Sequence, residues 1–479
     1  MKTIAILIVG ILFQVSVFAQ NEMDALRYSQ IIPGGTARFA SMGGAFGALG
    51  GDFSSLGINP AGAGIYRSSE LTISPSLNYS QVNSTYFNTR AEDMKYNFNL
   101  NNLGAVFAYP LNGSAAEGGW QFINFGLGIN RHNNFNVRWM AEGYNTNNSF
   151  MTSMLEQANR EGSVERLSDF STGLAWDTYL LDIVDGEFFV DMPGGQVLQR
   201  QETNTSGSVR ELVFSVGANY NDRVYLGATA AFPSVNYRED TNYREEDTEG
   251  LNEVFNAMRY ATSLRTTGSG YNFKFGAIIR ATDMIRIGGA FHTPTFYSLE
   301  DRYEATMRSD LNIDYDTDVA HSPVGRFDYR LTSPLKAIGS LGLVFGTSGI
   351  LSLDYEYVDY TKARLRSGDY GFTDENRAIR ENFSSQHNLR VGGEIVFSPL
   401  VLRAGYAFYS SPYAEGVNDG ERSMISAGLG FRNPAYSLDF AYTHSFYSED
   451  YYLYSLDGLR PVERDFSAST FRMTLGYRF

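Results

Sequence analysis

The sequence contains no cysteine. That excludes a disulfide framework, a thiolate metal site and a lipidated N-terminal cysteine. Long apolar runs are missing too: beyond the first twenty residues, no stretch approaches the ~20 apolar residues a membrane-spanning helix requires. Positive charge is scarce, with 38 Lys and Arg against 53 Asp and Glu and a formal net charge of −15. A nucleic-acid partner, which wants a basic surface, is therefore not expected. Lysine is absent between Lys2 and Lys95, so the glycine-rich stretch in that interval cannot be a phosphate-cradling loop. The five histidines, His132, His292, His321, His387 and His444, are too scattered to build a metal or haem site by local spacing. A haem held by non-adjacent Tyr or His stays open, but no cofactor and no metal are expected. The turn Gly346-Thr347-Ser348-Gly349 lacks the spacing of a nucleophile elbow, and no catalytic residues are expected. Asp314, Asp316 and Asp318 have the odd spacing of a calcium loop. Val319 and Gly325 stand where its turn glycine and bidentate glutamate belong, so an acidic loop is the better reading.

What is present points to a β-barrel in lipid. Aromatic residues make up 14% of the chain and glycine 48 of 479 positions, while charged residues, at 19%, fall below the soluble average of roughly 25%. At the C-terminus Phe471, Met473, Leu475, Tyr477 and Phe479 alternate with Arg472, Thr474, Gly476 and Arg478, the period of a strand with one apolar face. A terminal aromatic of this kind resembles the C-terminal signature of outer-membrane barrels. The barrel-assembly machinery is the partner expected to engage it, with outer-membrane lipid around the wall. Met1 to Ala19 has the Lys2 start, apolar run and small residues at 17–19 of a secretory signal.

From Leu71 onward alternating segments recur, about fourteen of them, ending at 467–479. The joins between them sort by parity. The even-to-odd joins are short, such as Asn221-Asp222, Thr282-Asp283, Ser398-Pro399 and Asn433-Pro434. The odd-to-even joins are long: 83–97, 132–207, 238–268, 299–325, 364–386, 411–421 and 448–466. Short periplasmic turns and long external loops are the habit of a transmembrane barrel with both termini on the periplasmic side. Within the long joins, Ser149 to Arg160 and Asn252 to Ala261 carry helical spacing, and the six carboxylates of Glu239 to Glu249 read as a solvated loop.

Residues 20–67 are different. Ten glycines lie between Gly34 and Gly64, and Phe39, Phe46, Phe53 and their apolar neighbours hold no single period. Glycine permits close backbone approach, so this segment is expected to pack inside the wall as a hatch. The three phenylalanines are then candidate contacts for a hydrophobic ligand. In the third strand the apolar phase slips by one residue between Phe122 and Ile123, with Gly126 and Gly128 just beyond. That slip predicts a bulge, a kink and a lateral opening there.

Several stretches resemble the FadL/TodX family of outer-membrane transporters for long-chain fatty acids and hydrocarbons: the Gly/Ala segment ending Asn59-Pro60-Ala61-Gly62, and residues 281–297, 351–361, 399–412 and 435–446. The resemblance implies an all-β transmembrane antiparallel barrel of about 14 strands (68–479) with an N-terminal hatch in its lumen. It also implies uptake of hydrophobic small molecules that leave sideways near the third strand. Asn59, Pro60, Ala61 and Gly62 carry over as hatch structure; the segments 132–207 and 238–268 depart from the family. A barrel of this fold serving assembly or secretion, and a general diffusion porin, are the alternative readings.

Overall fold

The computed structural model describes residues 22–111, 119–190, 194–312 and 319–479. The signal segment 1–19 and Asp314, Asp316 and Asp318 lie outside the described residues. The remainder forms a closed antiparallel barrel of 14 strands. In chain order these are β1 (Glu70–Tyr86), β2 (Thr89–Pro110), β3 (Trp120–Asn134 and Val137–Asn145), β4 (Val197–Tyr220), β5 (Val224–Glu246), β6 (Phe255–Arg280) and β7 (Ile285–His292 and Phe296–Leu311). They continue as β8 (Val319–His321, Gly325–Thr332 and Lys336–Phe345), β9 (Gly349–Asp359 and Arg364–Arg366), β10 (Ser385–Phe397), β11 (Leu400–Tyr409), β12 (Arg422–Arg432), β13 (Tyr436–Tyr451) and β14 (Val462–Arg478).

Closure is made by β1 against β14, from Glu70↔Arg478 to Thr85↔Glu463. Ser69 and Phe479 then exchange backbone hydrogen bonds of 3.1 and 3.0 Å beyond the last ladder pair. Each strand alternates across the wall. On β6, Tyr271, Phe273, Phe275 and Ile279 are exposed outward while Asn272, Lys274 and Ile278 are buried inward. Phe214, Val216, Leu402, Leu429, Phe440 and Leu475 continue this outward apolar belt around the barrel. A closed wall of this kind is the β-structure lipid tolerates.

Several expected loops are strand instead. The join 83–97 is the top of a β1–β2 hairpin turned by Phe87 and Asn88 alone, both at positive φ. Residues 238–246 and 255–268 are likewise paired strand, including the acidic stretch through Glu246. Above the belt the outward positions change from apolar to charged, which hides these extensions from an apolar-periodicity reading. Ion pairs two residues apart on one strand, such as Arg238–Asp240 and Arg302–Glu304, occupy them.

Where a helix is expected over 252–261, the chain is strand from Phe255 onward. Asn256 is an extra residue in the pairing of β6 with β7, where Leu311 faces Phe255 and Asp310 faces Ala257. That bulge puts buried Phe255 and Met258 three apart, the spacing that imitates a helix. The helix α3 (Phe150–Glu161) does form: Ser149 caps it, Thr152 completes the capping box, and Gly162 ends it at φ 81°. Its Phe150, Met151 and Met154 join Trp139, Tyr243, Met258 and Tyr454 in an apolar cap over the external mouth. Glu245 is buried beneath the cap, accepting from the Phe150 amide (2.7 Å) and Gln199 (2.7 Å). Burial holds its carboxyl above the usual carboxylate range.

Inside, the N-terminal segment runs from α1 (Glu22–Ser29), in the outer half of the lumen, through α2 (Ala37–Ser41) and two 3-10 turns to β1. Inward-facing wall glycines seat it. A Cβ at Gly104 would stand 2.4 Å from the Phe53 ring, one at Gly126 2.6 Å from Leu56, and one at Gly227 2.3 Å from the Pro60 backbone. Gly227→Val is therefore expected to displace this plug at a cost of about 1–3 kcal/mol while the wall still closes. A lowered temperature of heat-modifiability on gels, with strand content by circular dichroism unchanged, is the predicted result.

Candidate functional site

The plug is latched by polar groups of the wall. Asp354 accepts from the Phe46 and Gly47 amides (both 3.0 Å), Thr474 from the Ala37 amide (2.6 Å) and Ser426 from the Gly43 amide (3.1 Å). Asn124 of β3 donates to the Ala63 and Tyr66 carbonyls at 2.7 and 2.9 Å. Of the motif residues, Asn59 caps the turn Pro60–Ile65 by accepting from the Ala61 amide (3.1 Å). Its amide nitrogen donates to Gly47 within the plug (2.7 Å) and to Ala277 of the wall (3.1 Å). Pro60 takes the first position of that turn, and Gly62 passes against Gly50 and Ser55.

One latch is ionic. Arg38 of α2 reaches Glu394 (3.1 Å), which also takes Arg403 (2.6 Å), and Arg403 continues to Asp439 (2.7 Å). All four side chains are largely shielded from water, so the network stands only while every member has its counter-charge.

Phe39, Phe46 and Phe53 are all fully buried. Phe39 and Phe46 pack together, ring centroids 5.5 Å apart, while Phe53 belongs to a separate cluster against β2 and β3. They do not form one surface, and in this conformation they are packing groups. Sequence reasoning missed an interior cavity. A cavity of about 50 Å³ lies between the end of α1 (Ser29, Ile31, Pro33) and the plug (Gly57, Ile58). Its wall is polar: Lys274 pairs with Glu211 (2.6 Å), His132 meets Glu211 (3.2 Å), and His292 bonds the Ile58 carbonyl (2.8 Å). Lys336 also lines it, with no carboxylate within 4 Å of its ammonium among the described residues. These residues come from β3, β4, β6, β7 and β8, so no local spacing marks them. Above the cavity, α1 is wrapped by an apolar cluster that includes Tyr237, Tyr297, Leu299, Tyr329 and Phe372.

The third strand breaks elsewhere than expected. Gln121 is an extra residue in the pairing with β4, Trp120 facing Tyr220 and Phe122 facing Asn219. It absorbs the change of apolar phase at the rim that carries the short turns. Beyond it the ladders run unbroken through Phe122, Ile123, Gly126 and Gly128 on both sides, so no gap opens there. Gly126 and Gly128 receive Leu56 and Phe53 of the plug. The seam opens higher. Pairing of β2 with β3 ends at Asn102↔Asn130, a second register shift falls between Arg131 and Asn134, and residues 137–145 pair only with β4. Across the unpaired stretch the strands are joined through side chains: Asn97 meets Asn134 (3.4 Å), Asp93 meets Arg138 (3.5 Å), and the Lys95 ammonium donates past the seam to the Asn204 side chain (2.6 Å) and the Thr205 carbonyl (2.7 Å) of β4. Along it β2 exposes Tyr96, Phe98 and Leu100, which continue the outward apolar belt, Phe98 sharing one patch with Phe440 and Phe471.

A closed wall with an apolar outer belt, an internal plug and one unzipped seam defines a plugged transmembrane barrel. Solved outer-membrane channels share that fold. The chain superposes on a FadL homologue of Pseudomonas aeruginosa with a TM-score of 0.58 at 15% identity, over 94% of this chain and 99% of that one. It matches the toluene transporter TodX of Pseudomonas putida (0.52, 11%, 94% and 100%) and the toluene transporter TbuX of Ralstonia pickettii (0.51, 14%, 94% and 99%). No family model and no curated protein matches the sequence itself.

Glu394→Gln is expected to destabilise the barrel by about 3–5 kcal/mol, because it leaves Arg38 and Arg403 short of a buried counter-charge. The urea midpoint of plug release, followed by proteolysis of the plug in detergent, should fall. An unchanged midpoint would mean the plug is held by packing alone.

Proposed function

We propose that this protein is an outer-membrane channel for uptake of hydrophobic compounds, and that its substrate carries an anionic head, as a long-chain fatty acid does. The fold shared with hydrocarbon and FadL-type channels supports the first part. The observation that carries the second is Lys336: an interior ammonium facing the cavity beneath the apolar cluster around α1 that, among the described residues, has no carboxylate within 4 Å, the nearby Glu356 and Glu211 being paired with Arg390 and Lys274. An acyl chain replaces those apolar contacts at about 25 cal/mol per Å² of buried area, while a carboxylate supplies the missing counter-charge. Passage needs α1 and the plug to shift. The lateral route runs through the β2–β3 seam beside Arg131 to Asn136, higher than Phe122 to Gly128.

Two measurements test this. Oxidised Asn97→Cys/Asn134→Cys, in a chain with no other cysteine, should staple the seam and block uptake of a fluorescent fatty acid, with recovery on reduction. Uptake unaffected by the staple would remove the lateral route. Lys336→Gln should weaken fatty-acid binding about tenfold, the loss of one charge-assisted contact of ~1.4 kcal/mol, and leave toluene uptake unchanged. Equal loss for both ligands would make Lys336 a structural group. Growth on oleate by a deletion strain, beside its secreted-protein profile, separates transport from a secretion role.

A further inference from the structure

The outer surface of β4 to β9 carries arginines in cross-strand register. Just above the outward apolar residues Phe232, Tyr271 and Phe296, one row reads Arg210, Ser234, Ser269, Ser298, Arg330 and Arg366, each directly opposite the next. All six are exposed. Four residues further up each strand, Arg238, Arg265, Arg302 and Arg326 stand opposite one another on β5, β6, β7 and β8. Like charges directly opposite on an antiparallel pair repel, so a row of four needs anions.

The protein supplies too few. Asp240 pairs with Arg238 (2.8 Å) and Glu304 with Arg302 (2.6 Å). The remaining carboxylates on this face, Glu300 and Asp328, lie opposite each other between the two rows. Among the described residues, no carboxylate comes within 4 Å of the guanidinium of Arg210, Arg265, Arg326, Arg330 or Arg366. This is a cationic field on a chain whose net charge is −15.

Height says what covers it. On β5, β6 and β7 the first row is two residues above the last apolar outward positions, about 7 Å along a strand and about 5 Å along the barrel axis at a tilt near 45°; on β8 and β9 the positions below it are Thr332 and Arg364. Headgroups occupy roughly the next 5–8 Å outside the hydrocarbon. We propose that this face binds the phosphate groups of an outer-leaflet glycolipid, with the acyl chains lying against the apolar belt below. Arg210, Arg330 and Arg366 take phosphates flanked by the hydroxyls of Ser234, Ser269 and Ser298, and the second row takes charge carried higher on the headgroup. Guanidinium suits this role because its planar donors meet phosphate oxygens in pairs.

The inference rests on the outer-membrane reading, and the test separates the two. The purified barrel is inserted into phosphatidylcholine vesicles that contain either bisphosphorylated lipid A or the same lipid after enzymatic dephosphorylation. Insertion is read by heat-modifiability, and lipid retention by native mass spectrometry after detergent extraction. The wild type should retain phosphorylated lipid A at least about tenfold better than the dephosphorylated form, a difference of ~1.4 kcal/mol. R210Q/R330Q/R366Q together with R265Q/R326Q should abolish the preference. A control removes charge from Arg200, Arg244, Arg259 and Arg308, a register row six residues above the second one; it should leave the preference within about twofold, being roughly 20 Å further along the strands. Equal retention of both lipids by an inserted wild type, or equal losses in both variants, overturns the lipid site and leaves the channel reading intact. Failure of the barrel to insert at all overturns both.

Discussion

In hydrocarbon an unpaired backbone amide or carbonyl costs several kcal/mol, and the structure follows from that constraint. β14 returns to β1, so the sheet closes on itself. Pairing lapses along the upper β2–β3 seam, above Asn102↔Asn130. The same constraint explains why the wall cannot make room for a plug by breaking its ladders. Room comes from side chains instead: inward positions shrink to glycine where plug atoms approach, as at Gly104, Gly126 and Gly227.

The interior is consequently layered by polarity. At the external mouth an apolar cap seals the lumen, and beneath it α1 sits in a second apolar cluster. Then comes the charged cavity with Lys274, Lys336, Glu211 and Glu356, and below it the latched plug. The two apolar clusters thus occupy the outer half of the lumen, with the charged cavity at their lower boundary. The lateral seam opens on that same upper half, which ties the location of the opening to the location of the apolar lumen.

Much of this was legible in the sequence, and the illegible parts share a cause. The fourteen strands and the sorting of short and long joins could be read because lipid demands an apolar residue at every second position. Above the belt that demand ends. The tops of β1, β2, β5 and β6 therefore looked like loops, although their backbones pair throughout. The glycine density of 34–64 marked a plug, but nothing local distinguished a packed Phe39 or Phe53 from a ligand contact. The phase slip at Phe122 pointed to a bulge, and Gln121 is one, at the rim rather than the exit. The break that opens the seam falls in Arg131-His132-Asn133-Asn134, which has no apolar phase to slip. Lys336 was invisible for a different reason: its neighbours in the cavity come from strands scattered over two hundred residues of chain.

The most direct test of a closed wall with one open seam is hydrogen–deuterium exchange on the barrel in lipid nanodiscs, resolved along β2. Residues 102–106, paired on both sides, should stay protected for as long as the barrel is folded. In 89–101, paired only with β1, about half the amides should exchange as fast as solvent-exposed groups. Uniform protection along the whole of β2 would contradict the open seam.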